Sequence, residues 1–314
     1  MMNFDRERFR GQKVGVVLGG DSSEREISLR TGAAFFEALK RLEYDVTAYD
    51  VPTDLAKLEK DAPAAVILGL HGGNGENGVF QGWLTIAGIP YTGSGVMASA
   101  IAMDKMRTKS ILRDHHVPVA AGIWVAYDRI HIEEVDAYLD AVPLPNVVKL
   151  NNAGSSVGVY LCEDHDSFIA AIHACHALAK SDPSSGILIE EKIPGPEYSV
   201  GIFDGEYMGA IRIQPAEKFY DFTAKYNSKT TQYVDVEDAD LIARLATIGA
   251  QTYRAVGCQG VARVDVMGEP DALRVLEINT IPGMTATSLI PKMAVRLGFD
   301  FDSFTEILLS SAHL

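Results

Sequence analysis

The sequence lacks what would place it outside the cell or in a bilayer. Its three cysteines, Cys162, Cys175 and Cys258, are an odd number at wide spacing. They make neither a disulfide framework nor a zinc pattern, so the expected setting is a reducing cytosol. No apolar run approaches the length of a membrane span. The first eleven residues carry Asp5, Arg6, Glu7, Arg8 and Arg10 without an apolar stretch, so no secretory signal is expected there. Net positive charge is missing too. The 28 Lys and Arg against 42 Asp and Glu leave −14, which argues against nucleic acid, because binding a polyanion needs a net basic surface. A nucleotide needs only local lysines and a metal, but no G-x-x-x-x-G-K-[ST] occurs, which excludes a P-loop enzyme.

What is present describes a globular chain with large cores: 314 residues, 47% hydrophobic and 22% charged, enough for two or three domains. Lys13–Leu18 reads as a strand and runs into Gly19-Gly20-Asp21-Ser22-Ser23-Glu24. A helix should follow to about Leu42, with Ile27, Leu29, Ala33, Phe36 and Leu39 as its apolar positions. Further strands at Asp45–Tyr49 and Ala64–Leu70 complete a β-α-β-α-β rhythm. That rhythm implies a parallel sheet with function at the carboxyl ends of its strands. One such end carries Ser23 and Glu24. The other is His71-Gly72-Gly73-Asn74-Gly75-Glu76-Asn77-Gly78, either a flexible connector or a backbone built to come close to something, with His71 and Glu76 as polar contacts.

Gly93-Ser94-Gly95-Val96-Met97-Ala98 matches G-x-G-x-x-A, yet it lies far beyond the first βα turn where a dinucleotide fingerprint belongs. It reads better as a turn into a helix over Ala98–Arg113 carrying Asp104, Lys105 and Lys109. A second α/β unit is expected from Ile123. In it the strand Val147–Leu150 bears Lys149 and opens a Gly/Ser/Asn loop, 151–159, suited to phosphate or to an ordinary hairpin turn. On the helix Asp166–Lys180, His173 and His176 suit an exposed face better than a metal site. Strands are expected at Ile187–Glu190, Tyr198–Phe203 and Tyr207–Gln214, with Asp204-Gly205 as a turn. Phe219–Tyr233 is long, aromatic and aperiodic, the character of a lid, and a helix over Asp238–Val256 follows it.

The most informative stretch is 260–291, two strands (Val261–Met267 and Leu273–Ile278) around a Gly-Glu-Pro-Asp turn. Arg263 and Asp265 lie two apart on the first strand, and Glu277 and Asn279 repeat that spacing. Asp265, Glu277 and Asn279 offer oxygen alone, which suits Mg²⁺ with bridging phosphates. An arginine–carboxylate network on a solvated face would use the same residues.

Seven segments in order carry a resemblance: GGDSSEREISL (19–29), HGGNGENGVFQG (71–82), GSGVMASAIAMDK (93–105), GSSVGV (154–159), FYDFTAKY (219–226), ARVDV (262–266) and EINTIPGMTATSLIP (277–291). From about Lys13 to the C-terminus the chain resembles the D-alanine–D-alanine ligases of the ATP-grasp superfamily. The resemblance implies an α/β ATP-grasp fold with three parts. These are an N-terminal parallel-sheet, Rossmann-like domain (1–92), a central lid domain (93–185), and a C-terminal α+β catalytic domain (186–314) with a lid loop at 215–233. It also implies ATP-dependent ligation of two D-alanines through a D-alanyl phosphate, for peptidoglycan, in a cytoplasmic homodimer.

By the same resemblance, Asp265, Glu277 and Asn279 hold two Mg²⁺, with Mn²⁺ an alternative. Arg263 and the backbone N–H of Gly283 face the developing oxyanion. Lys105, Lys149 and Lys225 meet the ATP phosphates; Glu190, Glu191 and Ile193 the adenine; Glu197 the ribose. Glu24 takes the first D-alanine's ammonium and His71 lies near its carboxylate, while Ser155 and Tyr226 complete a triad with Glu24. Ser288 and Leu289 form the pocket for the second D-alanine. A tyrosine at 226, where D-lactate-using relatives usually have histidine, favours the dipeptide over the ester. Leu150, Asn77 and Phe222 depart from the usual pattern without touching an assigned residue. Two further readings use the same phosphate machinery: another carboxylate–amine ligase, disfavoured by Glu24, Ser155 and Tyr226, and a non-catalytic nucleotide binder, disfavoured by the intact set Arg263, Asp265, Glu277 and Asn279.

Overall fold

Strand β1 (Lys13–Gly19) is the middle of a parallel sheet, flanked by β2 (Asp45–Val51) and β3 (Ala65–Leu68). The computed structural model describes residues 5–131, 135–154, 157–180, 185–214, 231–285 and 288–314. Val14, Val16 and Val17 of β1 are fully buried, as a strand covered on both faces requires. The helix Arg25–Arg41 covers one face, but of the apolar positions expected to do so only Leu39 is buried. Ser28, Thr31, Gly32, Phe35, Ala38 and Leu39 are buried. The reason is closeness: a Cβ on Gly32 would stand 2.4 Å from Leu18 Cβ, so small residues mark the contact face.

Two antiparallel sheets follow. The first has the order β4-β7-β5-β6, from β4 (Gly122–Val125), β5 (Asn146–Leu150), β6 (Val159–Cys162) and β7 (Ile187–Glu191). The expected α/β unit after Ile123 therefore has no parallel pairing. Strand β7 falls within the segment assigned to the third domain, yet it pairs between β4 and β5. The second sheet has the order β10-β9-β8-β11-β12, built from β8 (Glu197–Phe203), β9 (Glu206–Gln214), β10 (Gln232–Asp235), β11 (Val261–Met267) and β12 (Arg274–Asn279). Most of the expected lid lies outside the described residues, and its last residues, Gln232 and Tyr233, begin β10.

The helix Ala239–Val256 buries Leu241, Leu245, Ile248 and Val256 against the five-stranded sheet. The C-terminal helix Phe301–Ser310 returns to the first sheet, where Phe304, Ile307 and Leu308 share a core with Val14, Val16 and Phe35. Tyr91 and His313 exchange backbone hydrogen bonds of 3.0 Å there.

The single helix expected over Ala98–Arg113 is two helices, Val96–Met103 and Lys105–Asp114. Asp104 interrupts them with extended backbone (φ −95°, ψ 99°) and caps the second by accepting from Arg107 N at 2.9 Å. The second helix restarts so that Lys105 and Lys109, at i and i+4, project from one face.

Candidate active site

In the β11–β12 hairpin Arg263 lies opposite Asn279 and Asp265 opposite Glu277, with an irregularity just after Asp265. The four side chains therefore share one sheet face, as their two-residue spacings required. Arg263 grips Asp265 with Nη2 to Oδ2 at 2.7 Å and Nε to Oδ1 at 2.9 Å. Ser199 on β8, the other registered neighbour of Asp265, donates to Oδ1 at 2.6 Å. Asn279 Oδ1 accepts from Ile281 N at 2.8 Å. Glu277 Oε2 meets Lys105 Nζ at 3.2 Å, and that ammonium also donates to Ala153 O at 2.6 Å.

Opposite the hairpin are the carboxyl ends of the parallel sheet. Gly72 has φ +68°, and a Cβ there would come within 2.8 Å of Glu24 Oε2 and 3.0 Å of Ser22 Oγ. A Cβ on Gly154 would lie 3.2 Å from the same Glu24 oxygen. Both glycine-bearing loops therefore crowd one carboxylate, the close backbone approach that the sequence suggested for the first of them. Buried His71 is held by Thr31 Oγ1 at 2.9 Å from Nε2, and Glu76 Oε1 stands 3.6 Å from Nδ1. Ser22 Oγ donates to His71 O at 2.6 Å.

A cleft of about 220 Å³ joins the two halves. It is lined by Glu24, His71, Lys105, Glu197, Arg263, Asp265, Glu277, Asn279, Gly283, Ser288 and Leu289 among the residues expected to act. Ser288 starts the helix Leu289–Arg296, and its Oγ accepts from Thr285 N at 3.0 Å, next to Gly283. Lys149, Glu190, Glu191 and Ile193 stand back from this lining. Glu191 turns its carboxylate to Ala121 N at 2.9 Å, and Ile193 is half-buried. Ser155, Lys225 and Tyr226 lie outside the described residues.

Glu190 Oε2 is 2.6 Å from Lys149 Nζ, and its Oε1 is 2.7 Å from Lys109 Nζ. Burial alone would raise the Glu190 carboxyl, but the two ammonium groups overcome it and hold the pKa below the usual range. Burial pushes the Lys109 ammonium down, against the pull of Glu190 and with help from Lys149.

The described lining bears five carboxylates, Glu24, Glu76, Glu197, Asp265 and Glu277, against the cations Arg30, Lys105 and Arg263. A polyphosphate would be repelled by that balance unless divalent cations entered with it. The oxygen-only set Asp265, Glu277 and Asn279 fits such ions. Among the described residues no group of three His, Cys, Asp or Glu is placed to hold a metal ion. His176 packs on Tyr127 with ring centroids 5.1 Å apart.

A family model described as the D-ala D-ala ligase C-terminus matches residues 111–310. A D-alanine–D-alanine ligase of Glaesserella parasuis serovar 5 is 43% identical over 304 residues, covering 96% of this chain and 98% of that protein. The chain belongs to the D-alanine–D-alanine ligase family. A second ligase of that name, from Anaeromyxobacter sp. strain Fw109-5, is 40% identical and covers 98% of this chain and 99% of its own length. The crystal structure of the Bacillus anthracis ligase complexed with ATP superposes with a TM-score of 0.82 at 31% identity, covering 96% of this chain and 97% of that one. The VanG D-Ala:D-Ser ligase of Enterococcus faecalis gives 0.80 at 25% identity, covering 95% and 98%. The expected ATP-grasp fold is the fold found.

Sequence reasoning missed Ser199 under Asp265 and Thr31 behind His71, and it named Lys109 on its helix without pairing it with Glu190. All three are polar residues at buried positions, Ser199 within an apolar strand and Lys109 on a helix face shared with Lys105, Thr108 and Leu112.

Proposed function

We propose that the protein joins two D-alanines into D-alanyl-D-alanine, with ATP converted to ADP and phosphate. One observation carries the reading: Asp265 and Glu277 oppose each other across the hairpin, in the same cleft as Glu24 and His71. The phosphate-handling face and a site for a small zwitterion therefore share one space.

A carboxylate oxygen is a poor leaving group, so the first D-alanine must be activated before an amine can displace it. Its carboxylate attacks the γ-phosphorus, ADP leaves, and an acyl phosphate remains. The second amine then attacks the acyl carbon, and phosphate departs. Glu24 binds the first ammonium, and His71, fixed by Thr31, lies near its carboxylate. Arg263 and the Gly283 N–H face the oxyanion that forms when the amine adds. Ser288 and Leu289 seat the second carboxylate. Ser155 and Tyr226 join Glu24, and Tyr226 closes the lid, which excludes water from the acyl phosphate. Lys105, Lys149 and Lys225 meet the phosphates; Glu190, Glu191 and Ile193 border the adenine, and Glu197 the ribose.

Asp265, Glu277 and Asn279 would hold two Mg²⁺, or Mn²⁺, whose chemistry is to neutralise phosphate charge and polarise the transferred group. Among the described residues no helix is long and apolar enough to cross a membrane. Cytoplasmic location and a homodimer follow from the resemblance, and sedimentation of the purified protein tests the latter. Incubation with ATP, Mg²⁺ and D-alanine, followed by mass analysis, tests the reaction. The dipeptide is expected with D-alanine and not with L-alanine; nucleotide turnover without it would overturn the reading.

A further inference from the structure

Three charged side chains are buried together behind the cleft: Lys109, Glu190 and Lys149. Their side chains are 1%, 3% and 9% exposed, which puts Lys109 deepest and Lys149 nearest solvent. They arrive from separate elements, Lys109 from the helix that starts at Lys105, Glu190 from β7 and Lys149 from β5. Lys109 Nζ also lies 3.4 Å from Val275 O on β12, so one ammonium contacts both antiparallel sheets.

The charges do not cancel. Two ammonium groups share one carboxylate, at 2.7 and 2.6 Å, leaving one positive charge in excess. An uncompensated buried charge is expensive unless something completes it. Removing Lys109 in thought shows what it does: Glu190 and Lys149 would then be a closed, neutral pair with no net attraction for an anion. With Lys109 in place, Glu190 is already neutralised from behind, and the charge of Lys149 is left over.

We propose that Lys109 is a positioning residue that takes up the charge of Glu190 and thereby frees Lys149 for the phosphates of the nucleotide. Lys109 itself touches no substrate. The inference rests on the nucleotide-binding reading above.

Calorimetric titration of the full chain with ATP plus Mg²⁺ and, separately, with adenosine tests it. Lys109→Met should weaken ATP binding about tenfold or more, the effect of one lost charge in a partly buried site, while adenosine binding stays within about twofold. Lys109→Arg should retain most of the ATP affinity. Lys109→Gln, which removes the charge but keeps a polar side chain, should lose ATP affinity by about the same factor as Lys109→Met, again with adenosine little changed. Lys109→Gln also serves if Lys109→Met does not fold. Equal losses for ATP and adenosine in Lys109→Met or Lys109→Gln would mean that Lys109 only supports the fold. If the unmodified chain binds ATP and Lys109→Met binds it equally well, the inference alone fails. If the unmodified chain does not bind ATP, the nucleotide reading fails first and takes the inference with it.

Discussion

Asp265 and Glu277 are registered partners across β11 and β12, yet neither carboxylate faces the other unshielded: Arg263 grips the first and Lys105 reaches the second. Two acids at adjacent strand positions would repel each other. Here each has its own cation, an arrangement that phosphate and divalent ions can take over when they enter. Glu277 is the more exposed of the two, at 28% against 7%. Glu277→Gln should therefore leave stability within about 1 kcal/mol of the parent, since partly exposed pairs contribute little. It should lower kcat by about a hundredfold or more, the scale of losing an electrostatic group at developing charge. Denaturant unfolding alongside steady-state rates separates the two effects.

Gly72→Ala tests the close approach at Glu24. The new Cβ would stand 2.8 Å from Glu24 Oε2 at a φ of +68°, so the backbone or the carboxylate must move. A stability loss of about 1 kcal/mol is expected from the left-handed conformation alone. The larger effect should be on KM for D-alanine, with KM for ATP little changed.

Thr31→Val removes the hydroxyl at 2.9 Å from His71 Nε2 and keeps the shape of the side chain. A buried imidazole nitrogen without its partner costs about 1–3 kcal/mol. Unfolding should report that loss, and kcat/KM for D-alanine should fall about tenfold as His71 loses its fixed orientation.

The three thiols should be inert in the native protein. Burial pushes Cys162 up to about 11 and Cys175 and Cys258 each up to about 12. At pH 8 a thiol-reactive disulfide reagent should label none of them until denaturant is added, and then all three. The sign for stability follows. The native thiols keep their protons while the unfolded ones ionise, so their contribution is intact below pH 9 and is lost as pH rises from 9 to about 12. Urea midpoints measured across that range should decline.

The hairpin was legible to the residue on its first strand because alternation and turn chemistry are local: Val261–Met267 begins and ends where the pattern does. The carboxyl-end loops were legible for the same reason. The interruption at Asp104 was not, since Asp also sits within helices and only its bond to Arg107 N makes it a cap here. The buried stripe of the helix Arg25–Arg41 was misjudged because hydrophobicity was taken as the guide. Closeness to Leu18 instead selects Gly32, with Ser28 and Thr31 buried on the same face. The Lys109–Glu190–Lys149 cluster depends on three elements distant in sequence meeting behind the cleft, which no window of the chain contains.

The central claim is that a D-alanine carboxylate is phosphorylated in this cleft before the amine arrives, and an oxygen label tests it most directly. D-Alanine labelled with heavy oxygen in its carboxylate is turned over with unlabelled ATP in unlabelled water, and the released phosphate is weighed. One labelled oxygen in each phosphate per dipeptide formed is the predicted result, because the attacking carboxylate oxygen leaves on phosphorus. Dipeptide formed with unlabelled phosphate would contradict it, since the carboxylate could not then have been the nucleophile toward ATP.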